Sequence, residues 1–534
     1  LFSRLGKKIA QLRNAVSRSE WGARHLRKKA SYETVNHDVH APGVLLIQID
    51  GLGYDQLRRA FDNNKLPFLQ RLIRRDHFVL RKFYSGLPST TAAVQAELFY
   101  GVKGAVPAVN YYDRLDRREK NMLDAQDVDA FAAKLEKNHQ GLLKGGSSYS
   151  NIYSGGAREA LFCIQTMNVE SMFQDIPWRK VAWFCILYFV KIVRILGLSL
   201  IEIGLAVFDM VKGVLRGRNP FLELKFILSR IVACIVLREL VRVHVKMDIA
   251  GGVPIIHANF LGYDEHSHRR GPSSAFAHWT LKGIEGTIKD IMHKAMRSHK
   301  RDYHIFIYAD HGQEPTVPFS VRTGKTLREA VREVFCEGPF KNAEFIESDG
   351  ATPYSKLNKR AMGLLRSSPW AGPHEAEGIG SNTVYIVAMG PLGHIYLPIR
   401  PEEQEMRRYA GQLVREAGIP LVCYVQNREV RCVTKTGDDI LAVKGPEVFG
   451  LTHPFLREVI EDLEAVCRHA HAGDFVISGW QAEGRSLTFP IENGSHGGPG
   501  SHETQGFIVF PDTLEGAAKD CLRPLDLRLQ VKTI

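Results

Sequence analysis

The sequence predicts an α/β fold, a doubly wound and mostly parallel sheet sandwiched by helices, with a helical apolar insertion and a cap insertion. Three observations predict it. Short apolar runs of strand length recur along the chain, helical patterns alternate with them, and Asp or His stands at several run ends, where open α/β sheets bind ligands.

The elements follow in order. Residues 1–40 hold nine basic and three acidic residues, half of the net charge of +12, with Leu5, Ile9, Leu12 and Val16 at helical spacing. This reads as a basic amphipathic arm suited to peripheral contact with an anionic membrane; basicity confined to an arm gives no nucleic-acid groove. The arm lacks the unbroken apolar stretch of a signal peptide, so a cytoplasmic or membrane-associated location is expected, and the absence of an initiator Met leaves the start open. The first part of the core, 41–165, opens on GVLLIQID (43–50) and continues with helical patterns in LPFLQRLIRR and from Ala92 to Tyr100.

Residues 166–252 form the apolar helical insertion. Val181 to Val190 is entirely apolar or aromatic, and that character continues to Val211 and again from Phe221 to Val245. Lys191, Arg194, Glu202 and Asp209 keep each charge-free run below the ~18 residues of a spanning helix. A hairpin packed on the domain, a helix pair in a membrane interface and a span all stay open for residues 178–245. The second part of the core, 253–330, carries VPIIHANF (253–260) and HIFIYAD (304–310), with Ile284, Ile288, Ile291 and Ala295 on one helical face between them. TVYIVAM (383–389) and FVIS (475–478) fall in a cap, 331–480, and FIVF (507–510) in the end of the core, 481–534. Eight widely spaced cysteines without a CxxC pair read as buried thiols.

The chemistry-bearing residues sit at the run ends. Asp50 ends the first strand and precedes Gly51, which suits either a metal carboxylate or a helix cap. Asp310 and His311 end another run before Gly312, and both reach one ion only where the chain has left the strand. Asp264 and His268, four apart and followed by Gly271 and Pro272, converge from one turn. His257 and His266 read as structural. His496 lies in NGSHGGPG, where small residues let backbone approach an ion or phosphate; His502 is its rival. After Pro88, the residues Ser89, Thr90 and Thr91 offer hydroxyls at a helix start, either as N-caps or as a nucleophile beside free backbone N–H groups. Arg269 and Arg270 face either solvent or an anionic substrate.

Taken together, the set resembles the alkaline phosphatase superfamily, and within it the type I phosphodiesterase and nucleotide pyrophosphatase branch. That branch has a strand ending in Asp-Gly, a Pro-x-x-Thr turn, an Asp-x-x-x-His-x-x-Gly-Pro element, an Asp-His-Gly element and a late Gly-x-His-Gly; all five occur here in that order between residue 43 and about 511. The resemblance implies an alkaline phosphatase-like core. It implies one metal held by Asp50, Thr91, Asp310 and His311 and another held by Asp264, His268 and His496. It also implies a phosphoryl contact from Asn110 in NYYD. Zinc is the expected ion, with manganese as the alternative.

The expected reaction is hydrolysis of a phosphate ester. Two metals ~4 Å apart clamp the phosphoryl group, Thr91 attacks in line, and water releases a phosphothreonine intermediate. A phosphoethanolamine or glycerophosphate transferase and a phosphomonoesterase share these parts. A sulfatase is excluded because no cysteine has the required formylglycine context, and a phosphoglycerate mutase is disfavoured by threonine at the nucleophile turn. The alternative of another class is a non-catalytic membrane-associated scaffold.

Overall fold

A computed structural model of the chain describes residues 41–167, 197, 232–348, 382–514 and 519–534. The basic arm, most of the apolar insertion and residues 349–381 of the cap lie outside the described residues. The chain divides into two compact units, one of residues 1–43, 168–254 and 290–303, the other of 44–167, 255–289 and 304–534. In the first unit a helix, Arg238–Gly251, ends at Gly252, and Arg242 pairs with Asp290 at 2.5 Å. Among the described residues no helix is long and apolar enough to cross a membrane.

The second unit is built on two large sheets. The first has eight strands in the order Cys521–Leu522, Phe78–Tyr84, Gln505–Pro511, Tyr303–Tyr308, Gly43–Ile49, Ile255–Phe260, Ser147–Tyr149, Glu159–Leu161. Gly43–Ile49 runs parallel to Ile255–Phe260, which runs parallel to Ser147–Tyr149. Gln505–Pro511 is antiparallel to both its neighbours. Every residue of Gly43–Ile49 and of Ile255–Phe260 is buried, as a strand covered on both faces requires. The one amide in the first of these, Gln48, accepts from Gln95 and from the Tyr308 hydroxyl, both at 3.1 Å, so its burial leaves the oxygen satisfied.

Strands 383–389 and 475–478, which the sequence places with the same alternating pattern, belong instead to a second, seven-stranded sheet. Helices Leu327–Val334 and Glu403–Arg415 share an apolar core with this sheet. Helices Leu441–Phe449 and Leu456–Cys467 share another, which includes Trp480. Each sheet therefore buries its own apolar surface, and burial strength alone does not tell which sheet a strand joins.

Helix Thr91–Tyr100 is buried at every position after Thr91. A helix apolar nearly all round must lie inside the core. Its two polar interior residues are matched: Gln95 also bonds Asn151 at 3.0 Å, and Glu97 takes Arg523 through two bonds of 2.7 and 2.9 Å. Breaking such a buried pair costs about 3–5 kcal/mol, so these contacts tie the helix into the core.

Candidate metal centre

The residues that carry chemistry collect beyond the carboxyl ends of the central strands. Asp50 follows Gly43–Ile49 directly, Asp310 and His311 follow Tyr303–Tyr308 after one residue, and Asp264 and His268 lie on helix Gly262–Arg270 just after Ile255–Phe260. Asp50 caps no helix, because the N-cap of the next one, Tyr54–Asp62, is Gly53. Gly51 makes the turn possible: its φ is +69°, and a Cβ there would stand 2.3 Å from Asp264 Oδ1.

Two clusters result, and among the described residues they are the ones with three or more donor side chains within metal-holding reach. In one, His311 Nε2 lies 3.5 Å from Asp50 Oδ1 and 3.5 Å from Asp310 Oδ2. In the other, Asp264 Oδ2 lies 3.3 Å from His268 Nε2, and Asp264 Oδ1 lies 3.8 Å from His496 Nε2. The clusters adjoin, for the rings of His311 and His496 stack at 3.7 Å. Thr91 Oγ1 stands 3.5 Å from Asp50 Oδ1 and 3.4 Å from His311 Nε2. Thr90 is the N-cap of that helix, accepting from Ala93 N, so the two threonines divide the roles of cap and cluster-facing hydroxyl.

Each imidazole is aimed by its other nitrogen. His311 Nδ1 lies 2.9 Å from Gly312 O and His496 Nδ1 lies 2.9 Å from Ser89 O, while His268 Nδ1 faces Glu492 Oε2 at 3.2 Å. All three Nε2 atoms are thereby turned inward, the arrangement metal-binding histidines adopt. The carboxylates are also held: Asn259 donates to Asp50 Oδ2 at 2.6 Å, Gln313 donates to Asp264 Oδ1 at 2.5 Å, and Gly51 N donates to Asp310 Oδ1 at 3.4 Å. Asp310 Oδ2 is buried without a hydrogen bond.

Electrostatics point the same way. Burial, then Asp310 and Asp264, push Asp50 well above the usual carboxylate range, and burial, with Asp264, lifts Asp310 to about 6. Burial lowers His496 to about 3 and also lowers His311. Against the opposing effect of burial, the pairing with His268 holds Asp264 low, and Glu492 and Asp264 hold His268 high. Crowded anionic oxygens, an orphaned carboxylate oxygen and inward imidazole nitrogens fit divalent cations, which would relieve the repulsion.

Asn110 makes a local contact through its amide. It lies on strand Asn110–Asp113, buried, with its amide nitrogen donating to Glu119 Oε1 at 2.8 Å and its Oδ1 without a hydrogen bond. His502 pairs with Asp55 at 2.9 Å, away from the His496 position it rivals in sequence. His257 meets the Tyr308 hydroxyl at 2.7 Å, and His266 Nδ1 lies 2.8 Å from Gly262 O. Sequence reasoning missed Glu492, Asn259 and Gln313. Gln313 follows the Asp-His-Gly element and Asn259 interrupts an apolar strand, which are faint signals; Glu492 has none.

No protein-family model matches the chain, and no curated protein matches it. Solved structures do. A phosphonoacetate hydrolase from Sinorhizobium meliloti 1021, in complex with phosphonoformate, is 15% identical over 92% of this chain and 96% of its own, with a TM-score of 0.46. Murine ectonucleotide pyrophosphatase/phosphodiesterase 5, an inactive form with AMP, is 9% identical over 92% and 93%, with a TM-score of 0.44. The wild-type alkaline phosphatase PafA is 10% identical over 93% and 95%, with a TM-score of 0.48. Identities and scores this low leave the chemistry to be argued from the chain's own residues.

Proposed function

We propose that the chain is a metal-dependent hydrolase of phosphoric esters, of the phosphodiesterase and nucleotide pyrophosphatase kind, acting through Thr91. One observation carries the reading: a hydroxyl at the first position of a buried helix stands between a carboxylate and an imidazole of one donor cluster, 3.5 and 3.4 Å away, with the second cluster alongside. Asp50, Thr91, Asp310 and His311 would hold one divalent cation, and Asp264, His268 and His496 the other. A set of imidazole and carboxylate donors suits zinc, with manganese second. Bound there, the ions would supply positive charge to the phosphoryl oxygens and lower the pKa of the Thr91 hydroxyl.

The chain's own residues do the rest. The helix at Thr91 directs free N–H groups and the positive end of its dipole toward the same point, favouring a phosphoryl group. Thr91 Oγ1 forms a bond to phosphorus as the bond to the leaving oxygen breaks, giving a phosphothreonine ester. Water then cleaves that ester and restores the hydroxyl. Asn110 belongs to the proposal as a substrate contact, and peripheral contact of the basic arm with anionic lipid belongs to it as a partner.

Thr91→Ala is expected to lower turnover by at least about 10³-fold while two metals per chain still bind. Near-wild-type activity in that variant overturns Thr91 as nucleophile. A panel of a bis-aryl phosphodiester, a phosphomonoester, a nucleotide and a lipid-head-group diester, with and without chelator, tests the class. Strict monoester preference overturns the diesterase choice, and a well-folded protein that takes up no metal supports a non-catalytic scaffold instead.

A further inference from the structure

The two donor clusters differ in charge. Asp50 and Asp310 give the first two carboxylates, whereas Asp264 alone serves the second with His268 and His496. The second also differs in how a histidine is aimed: His311 and His496 turn Nδ1 to backbone carbonyls, but His268 Nδ1 lies 3.2 Å from Glu492 Oε2 as an ion pair, outside hydrogen-bond geometry. Glu492 is fixed in turn, since Ser495 Oγ donates to the same oxygen at 2.8 Å.

The segment that carries Glu492 is docked on the helix that carries His268. Asn493 N donates to His268 O at 2.9 Å, and Asn493 Nδ2 donates to Arg269 O at 2.7 Å. The approach is so close that a Cβ on Gly494 would lie 2.5 Å from Ser267 O. Residues 492–496 thus deliver one ligand, His496, and the carboxylate that orients another.

We infer that Glu492 is a positioning residue for the Asp264–His268–His496 cation site, fixing the His268 ring with Nε2 inward and supplying from behind it the second negative charge that this site lacks. The inference rests on the reading of the cluster as a metal site. A carboxylate on the far nitrogen makes an imidazole a stronger donor, and loss of such a partner weakens metal binding by roughly 10–100-fold. The effect is selective for one cation, because Glu492 touches no donor of the Asp50 cluster in any described hydrogen bond or ion pair.

The test is a zinc titration of metal-free protein against a competing chromogenic chelator, comparing wild type, Glu492→Gln, Ser495→Ala and His268→Ala. Wild type is expected to take two zinc ions. Glu492→Gln is expected to weaken one of them about 10–100-fold and leave the other within about threefold, with Ser495→Ala changing the same step by less. In the His268→Ala background, Glu492→Gln should add nothing, since the residue through which it acts is gone. The far-UV circular dichroism spectrum and gel-filtration volume of metal-free Glu492→Gln should match wild type, which separates positioning from structural damage. Two unchanged zinc affinities in Glu492→Gln, equal weakening of both, or a further loss in the His268→Ala background overturns this inference alone. Failure of wild type to bind zinc overturns the metal reading and this inference with it.

Discussion

Asp310→Asn makes the sharpest prediction, because it should change stability in opposite directions with and without metal. In the metal-free protein Asp310 is buried and lifted from 3.8 to about 6 by that burial, with Asp264 adding to it. A carboxyl raised in the folded state contributes stability that is fully present below 3.8 and is lost as pH rises through about 6. At ~1.4 kcal/mol per pH unit, the ionised side chain costs the metal-free fold about 3 kcal/mol at pH 8. Asparagine removes the charge and keeps the contacts: its oxygen can accept from Gly51 N as Oδ1 does. Its NH₂ would take the place of Oδ2, which has no hydrogen bond and lies 3.5 Å from His311 Nε2.

With its Nδ1 beside Gly312 O, a neutral His311 presents a lone pair at Nε2 for that NH₂ to meet. Urea unfolding at pH 8 in chelator should therefore find Asp310→Asn more stable than wild type by up to about 3 kcal/mol. Zinc at about a thousand times its Kd adds about 4 kcal/mol to wild type and much less to the variant, so the order reverses. A metal-free variant no more stable than wild type at pH 8 would refute the view that crowded carboxylates strain this site.

Gly51→Ala should lower stability by about 1–2 kcal/mol, the cost of an L-residue at positive φ, and displace Asp264; unchanged zinc stoichiometry would contradict the close packing of Gly51 on that carboxylate. Acid should destabilise the fold through its buried neutral histidines. Burial holds His257 at about 3, and also lowers His394, His453 and His469 to about 4, so below 6.5 the unfolded chain binds more protons. Stability from each is intact above 6.5 and lost toward its folded value, at ~1.4 kcal/mol per pH unit. His257→Gln, which keeps a partner for Tyr308, should flatten the fall of unfolding free energy between pH 6.5 and 5, and an unaltered slope would refute it.

Much of the fold was legible because strand and helix signals are local. The runs at 43–50, 253–260 and 304–310 became strands within a residue or two of those bounds, and the helices at Pro67–Arg75 and Ala275–Ala295 follow the apolar spacing. Local pattern did not assign strands to sheets. TVYIVAM and FVIS look like core strands by composition, yet pair within a second sheet, since any sheet covered on both faces selects the same apolar side chains.

The sequence by itself determined the donor types and their places: Asp50, Asp264, His268, Asp310, His311 and His496 at element ends, and Thr91 at a helix start. Those assignments need only a strand to fix a side chain and a glycine or helix to turn it. Tertiary structure alone decided which atoms meet. It divided the donors into two clusters, separated the roles of Thr90 and Thr91, turned Asn110 toward Glu119, and set Glu492 behind His268 across 224 residues of chain. Such pairings depend on the register of strands and loops far apart in sequence, and a carboxylate in a loop carries no local mark of the imidazole it will face.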